Sequence, residues 1–218
     1  MFNDKGYEVR KKVLSKETCE IIHEYYKIKI SNNEFMWDEN QQVNHTINMY
    51  GDPLNDAILK WTLPIAEEIV GEELYPCYTF MRVYNAHDLL KAHTDRQSCE
   101  FSATVPIYYD KSWPIFMQKY DFEKYPDTPT GHFESTQKEK KKGVVLKPGD
   151  FCFYEGTKMN HWRLPYDGYE CIQLFIHYVR KNGEYSSYKY DKRRNLGLPN
   201  TIKEDHPANA LEDFLFND

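Results

Sequence analysis

Between Cys77 and Val179 the chain is cut into eight short runs rich in β-branched, aliphatic and aromatic residues: 77–84, 89–94, 100–109, 114–117, 143–146, 150–154, 160–164 and 169–179. Turn-forming residues separate them, as at Pro148-Gly149-Asp150. Short runs of this kind predict an antiparallel double sheet rather than a parallel one with helical crossovers. Aromatics are 16% of the residues, with 18 Tyr and 12 Phe, which suits a sheet interior better than a helix bundle.

Helical patterns come before this region and are expected on the outer face of the sheets. Residues 7–14 read as a short strand. Ser15 then serves as an N-cap, with Glu17 in the first turn of a helix running to about Lys27. Asp52-Pro53 opens a second helix, along which Leu54, Ile58, Trp61, Ile65 and Ile69 recur until Gly71 stops it. Pro64 is expected to kink that helix. Residues 31–50 show no clear element. The expected division of a single domain is 1–74 as helical support, 75–180 as the β core and 181–218 as a tail.

A chain of 218 residues can bury a sizeable core in one domain, and a net charge of -6 favours solubility over a nucleic-acid partner. The cysteines, at 19, 77, 99, 152 and 171, are odd in number and lack CxxC spacing, as expected of reduced, buried thiols in the cytoplasm. No apolar leader and no membrane-length run is present. Residues 118–142 are polar and patternless, and are expected to form a loop at a pocket mouth. The segment KNGEYSSYKYDKRR, from Lys181, mixes basic and aromatic residues, but in an acidic chain it reads as a tail packed on the surface. Nothing in the sequence marks an oligomeric state.

Chemistry concentrates in Tyr84–Asp95, YNAHDLLKAHTD, and in Asn160-His161-Trp162-Arg163. His93 and Asp95 are two residues apart, so in an extended segment both face one way and Thr94 the other. His161 can bring a second imidazole to the same point. Two His and one carboxylate on one side of a metal, with other positions open, suit non-haem Fe(II) that activates oxygen.

These residues resemble the Fe(II)/2-oxoglutarate-dependent dioxygenases, and among them the prolyl 4-hydroxylase-like group. The resemblance covers about Tyr78 to Tyr178. It is carried by Arg82-Val83-Tyr84, His93-Thr94-Asp95, Lys147-Pro148-Gly149-Asp150, and His161 with Pro165 and Gly168 after it. It implies a mostly β fold with flanking helices, a double-stranded β-helix of the jelly-roll, cupin-like kind. It also implies Fe(II) on His93, Asp95 and His161, with 2-oxoglutarate and O2 as cosubstrates and ascorbate as an accessory reductant. Tyr84 matches a tyrosine that binds the far carboxylate of 2-oxoglutarate. The lysine the group places about ten residues after its distal histidine is absent, since Tyr169, Glu170 and Cys171 stand there. Arg163, on the strand face of His161, is the expected replacement, with Gln173 adding a hydrogen bond. Arg82 and Lys91 come next, Lys91 being placed on the face of His93 and Asp95. The group's substrate positions fall near Phe175 and His177, although a histidine in a strand of Leu174, Phe175 and Ile176 is more often a core residue than a substrate contact. Leu90 replaces a tyrosine of the pocket, so proline cannot be assumed, and the substrate is an amino acid, a peptide or a protein. The implied reaction is hydroxylation of a C–H bond.

Two other classes remain open. A cupin-like metalloenzyme that does not use 2-oxoglutarate would keep the triad and lack a carboxylate clamp. A non-enzymatic β-sandwich binding module would hold His93 and His161 far apart.

Overall fold

The structure, a computed structural model, describes residues 5–38, 43, 46–119 and 143–197. The strands are β1 (Tyr7–Arg10), β2 (Met36–Asp38), β3 (Thr46–Tyr50), β4 (Leu74–Asn85), β5 (Leu90–His93), β6 (Phe101–Tyr109), β7 (Phe116–Lys119), β8 (Phe151–Tyr154), β9 (Met159–Arg163) and β10 (Glu170–Arg180). Two helices, α1 (Lys16–Ser31) and α2 (Pro53–Val70), are joined to this set. A seven-stranded sheet runs β1-β8-β6-β10-β4-β3-β2, and a three-stranded sheet runs β5-β9-β7. Every pairing among these strands is antiparallel.

Both helices start where the sequence places them. Ser15 accepts a hydrogen bond from the Thr18 amide at 3.1 Å, and Asp52 accepts from the Leu54 amide at 3.0 Å. Helix α1 continues past Lys27 to Ser31. Helix α2 ends at Gly71, whose φ of 78° is the left-handed value a glycine takes without strain. Its run continues through Pro64, which lies exposed with Lys60, so the carbonyl left without a proline N–H is on the solvent side of the helix.

The large sheet has two unlike faces. Alternate residues of its central strands, among them Met81, Val83, Val105, Leu174 and Ile176, join Ile22, Tyr26, Leu59 and Ile69 of the helices in one core cluster. Each such side chain contributes roughly 1.5–3 kcal/mol when fully buried. Hydroxyls buried there find partners: Tyr26 donates to Asn55 Oδ1 at 2.5 Å, and the Tyr178 and Thr62 hydroxyls lie 2.7 Å apart. The other face carries Tyr78, Phe80, Arg82 and Tyr84 of β4 opposite His177, Phe175, Gln173 and Cys171 of β10. That face forms the site.

Three expectations need correction. Residues 31–50 do contain structure, because β2 and β3 extend the large sheet beyond β4. Their pattern is hidden because Thr46 and Asn48, polar residues, are buried. Residues 143–146 form no strand, only a single bridge between Ile115 and Val144. Strand β7 extends to Lys119, so the first two residues of the expected loop are strand, and the rest of that expectation, 120–142, lies outside the described residues.

The tail packs as expected where it is described. A kinked segment of 3-10 turns, Ser186–Lys192, non-helical at Lys189, Tyr190 and Asp191, precedes Arg193, which pairs with Asp56 at 2.9 Å and donates to the Cys77 carbonyl at 3.0 Å. Residues 198–218 lie outside the described residues. All five cysteines are free and buried. No helix among the described residues is long and apolar enough to cross a membrane.

Candidate metal and cosubstrate site

His93 ends β5 and is the direct cross-strand partner of His161 on β9, with ring centroids 4.2 Å apart. Asp95 follows β5, where its amide donates to the Gly156 carbonyl at 2.9 Å. Its Oδ1 lies 3.6 Å from His93 Nε2 and 3.5 Å from His161 Nε2. One ligand atom from each of the three residues falls within 4.8 Å of the others.

The tautomers follow from the backbone. His93 Nδ1 lies 2.8 Å from the Lys91 carbonyl, and His161 Nδ1 lies 3.0 Å from the Met159 carbonyl. A carbonyl only accepts, so both Nδ1 atoms carry the hydrogen and both Nε2 lone pairs face Asp95. Burial pushes the His161 imidazole down to about 4, with neighbouring His93 acting in the same direction. Burial alone would raise the Asp95 carboxyl, yet the His161 and His93 imidazoles outweigh it and hold it well below the usual carboxylate range. With Nδ1 carrying the hydrogen on both rings, the cluster presents two imidazole Nε2 atoms and one carboxylate, a donor set suited to a divalent ion.

The cluster lines a cavity of about 360 Å³, a size typical of small-molecule sites. Tyr84, Arg82, Leu90, Phe175 and His177 also line it. Thr94 lines it too and is buried, against the expectation that it turns away, because Asp95 lies beyond the strand and strict alternation no longer applies. Lys91 is exposed and does not share the face of His93, since a bulge between Leu90 and His93 shifts the register and brings Leu90 inward instead.

Arg163 is buried behind this cavity and does not line it. Its Nη2 donates to Thr104 Oγ1 at 3.3 Å and Gln173 Oε1 at 3.4 Å, its Nη1 to the Trp113 carbonyl, and it lies over the Trp113 ring at 4.9 Å. No carboxylate pairs with it among the described residues. Burial lowers its pKa, with nearby Cys171 and Tyr84 acting the other way. Two buried polar atoms here have no partner among the described residues, Arg163 Nε and the Tyr84 hydroxyl. An unpaired buried cation beside an unused hydroxyl fits an anionic group of a ligand. Gln173 does not reach the cavity; it accepts from Arg163 and Thr104 and donates to Cys171 Sγ at 3.1 Å. Arg82 is held by Asn48 at 3.0 Å and stands over the Phe80 and Tyr84 rings. Trp162 stacks on Phe116, as a packing residue does.

His177 stacks on Tyr78 at 4.4 Å, and its Nδ1 lies 3.0 Å from Ser102 Oγ. Ser102, Tyr154 and Gly156 were not legible as site residues. The Tyr154 hydroxyl sits 3.5 Å from His161 Nε2. A Cβ at Gly156 would lie 2.1 Å from the Cys99 carbonyl oxygen and 2.6 Å from Asp95 Oδ2.

Sequence comparison finds no matching family model and no matching curated protein. Solved structures do match. A Pseudomonas putida prolyl-4-hydroxylase aligns at a TM-score of 0.57 and 12% identity, over 81% of this chain and 94% of that one. The non-haem alpha-ketoglutarate-dependent epimerase SnoN of nogalamycin biosynthesis aligns at 0.61 and 12%, over 81% and 78%. HygX from Streptomyces hygroscopicus, solved with nickel and 2-oxoglutarate bound, aligns at 0.60 and 11%, over 82% and 84%. The chain has the double-stranded β-helix fold of these iron- and 2-oxoglutarate-dependent oxygenases.

Proposed function

We propose that the protein is an Fe(II)- and 2-oxoglutarate-dependent dioxygenase that hydroxylates a C–H bond of an amino-acid, peptide or protein substrate, with prolyl groups among the candidates. One observation carries this reading: His93 Nε2, His161 Nε2 and Asp95 Oδ1 converge at the cavity wall with both imidazoles already in the ligating tautomer. The Arg163 Nε and the Tyr84 hydroxyl support the choice of cosubstrate, because neither has a hydrogen-bond partner among the described residues.

In this reading His93, Asp95 and His161 hold the metal. Tyr84 meets the far carboxylate of 2-oxoglutarate at the cavity wall, Arg163 supplies the positive charge from behind it, and Gln173 keeps the guanidinium in place by accepting from its Nη2. When bound, iron and 2-oxoglutarate supply the oxidising chemistry, with dioxygen divided between a hydroxylated substrate and succinate formed with loss of CO2. The protein's own part is to position and to exclude water. Leu90 and Phe175 present apolar surface to the cavity, while Phe175 and His177 stand where a substrate would touch the last strand. Ascorbate would serve to return the metal to Fe(II). The cytoplasm would keep the five thiols reduced.

The test is succinate formation from 2-oxoglutarate by the iron-loaded protein, across a panel of prolyl peptides, free amino acids and other small substrates. Succinate that depends on one of these supports the reading. Iron binding without any consumption of 2-oxoglutarate returns the site to a metalloenzyme that uses no 2-oxo acid.

A further inference from the structure

The two carboxylate oxygens of Asp95 are held differently. Oδ1 faces His93 and His161, whereas Oδ2 accepts a hydrogen bond from Ser102 Oγ at 2.8 Å. Ser102 is fully buried on β6, directly across from His177 on β10. Its hydroxyl has one proton. The carboxylate can only accept and lies nearer than the other acceptor, the Cys99 carbonyl at 3.4 Å, so that proton points to Asp95. Toward His177 Nδ1, 3.0 Å away, Ser102 then offers lone pairs only, and His177 must donate. The Ser102 hydroxyl is thus fixed from both sides, and His177 is itself held by its stacking on Tyr78. Gly156 makes room for the contact: a Cβ there would lie 2.6 Å from Asp95 Oδ2 and 2.7 Å from Ser102 Oγ.

We propose that Ser102 is a positioning residue whose hydroxyl, held by His177, reserves Asp95 Oδ2 and leaves Oδ1 alone to serve the metal. The inference rests on the reading of the site as a metal centre. Its consequence is chemical. A carboxylate can ligate through one oxygen or two. With both oxygens turned inward, Asp95 would fill a position that cosubstrate and dioxygen need. The hydrogen bond to Ser102 keeps that position open, and it also fixes the orientation of a first ligand, as outer partners of metal sites commonly do.

The experiment is metal titration of Ser102→Ala with Ni(II) and Co(II) against a competing chelator, with the Co(II) visible spectrum as a reporter of coordination. Outer partners of ligands commonly contribute about 10–100-fold in metal affinity, so a weakening in that range is expected, together with an altered Co(II) spectrum. Ser102→Thr, which keeps the hydroxyl, should restore both toward the parent values. An alanine variant that keeps the parent affinity and spectrum while losing only thermal stability overturns the proposal. A parent protein that binds neither metal overturns the metal reading itself, so the two failures are distinct. If the alanine variant does not fold, His177→Phe carries the test. It keeps a ring against Tyr78 but cannot donate to Ser102. At least threefold weaker metal binding is then expected, and parent-like binding overturns the proposal.

Discussion

His93 and His161 face each other directly across β5 and β9, with ring centroids 4.2 Å apart and both Nε2 atoms turned to the same oxygen of Asp95. No proton is needed to hold this arrangement, because each ring is fixed by its own upstream carbonyl. Added Ni(II) or anaerobic Fe(II) should raise the melting temperature, since a ligand at about 100 times its Kd stabilises by about 2.7 kcal/mol. Asp95→Ala should remove that shift along with turnover. A melting shift that survives in the variant sinks the triad.

The carboxylate clamp makes a sharper prediction, because its two members respond differently. Tyr84→Phe removes a hydroxyl that has no partner in the free protein, so thermal stability should stay unchanged or rise slightly. Affinity for 2-oxoglutarate should nevertheless fall about tenfold or more, as a hydrogen bond to a charged group is worth about 1.5–3 kcal/mol. Arg163→Leu should raise the apparent constant for 2-oxoglutarate at least about thirtyfold, from a loss on the order of 2–5 kcal/mol. That variant also strips donors from the Trp113 carbonyl and Gln173, so its melting point should drop as well. Parent-like 2-oxoglutarate affinity in both variants would remove the clamp and point to Arg82.

The local parts of this site could be read from the chain, and the parts made by register could not. His93 and Asp95 stand out because a spacing of two is visible in one dimension, and His161 and Arg163 share that spacing on another strand. That Thr94 turns away and Lys91 turns in requires an unbroken strand; the end of β5 at His93 reverses the first, and the bulge between Leu90 and His93 reverses the second. Ser102 meets Asp95 across the short 3-10 turn Gln97–Cys99 and meets His177 through the pairing of β6 with β10, and no local pattern marks a serine for that position. Strand β3 was hidden for a related reason: both faces of the sheet are covered, so Thr46 and Asn48 are buried polar residues where alternation predicts solvent.

The tail should matter for stability. Arg193 and Asp56 pair at 2.9 Å with both side chains 2% exposed, and Arg193 also donates to the Cys77 carbonyl. Removing one partner of a buried pair costs about 3–5 kcal/mol. Arg193→Ala should show that loss in urea unfolding, whereas Lys192→Ala, one residue earlier and exposed, should not. Equal stability in the two variants would show that the segment is not anchored.

Acid should reveal a second anchor, at Asp110. Hydrogen bonds from the Glu170 and Tyr169 amides and the Tyr166 hydroxyl hold its carboxyl down at about 2. A folded-state value below the unfolded 3.8 means that unfolding takes up a proton between the two. The contribution is therefore complete above about pH 4 and is lost as pH falls toward 2. The difference in melting temperature between the parent and Asp110→Asn should be constant from about pH 5 to 7 and shrink below 4. A difference independent of pH throughout would remove the carboxylate from that role.

Gly156 links the fold to the proposed metal chemistry most directly. The position needs no side chain for reasons of space: a methyl group would stand 2.1 Å from the Cys99 carbonyl oxygen, which is backbone and cannot swing aside. It would also press on Asp95 Oδ2 at 2.6 Å and on Ser102 Oγ at 2.7 Å. Overpacking of this kind typically costs about 1–3 kcal/mol. Gly156→Ala should therefore lower stability by about that much. It should also weaken metal binding by about tenfold or more, because the Ser102–Asp95 contact is forced apart. Ala92→Gly, in the same sheet as the ligands but touching neither Asp95 oxygen, serves as the control for stability lost without the contact. At matched stability, Gly156→Ala should bind Ni(II) more weakly than Ala92→Gly. Equal binding would mean that the glycine serves the fold alone.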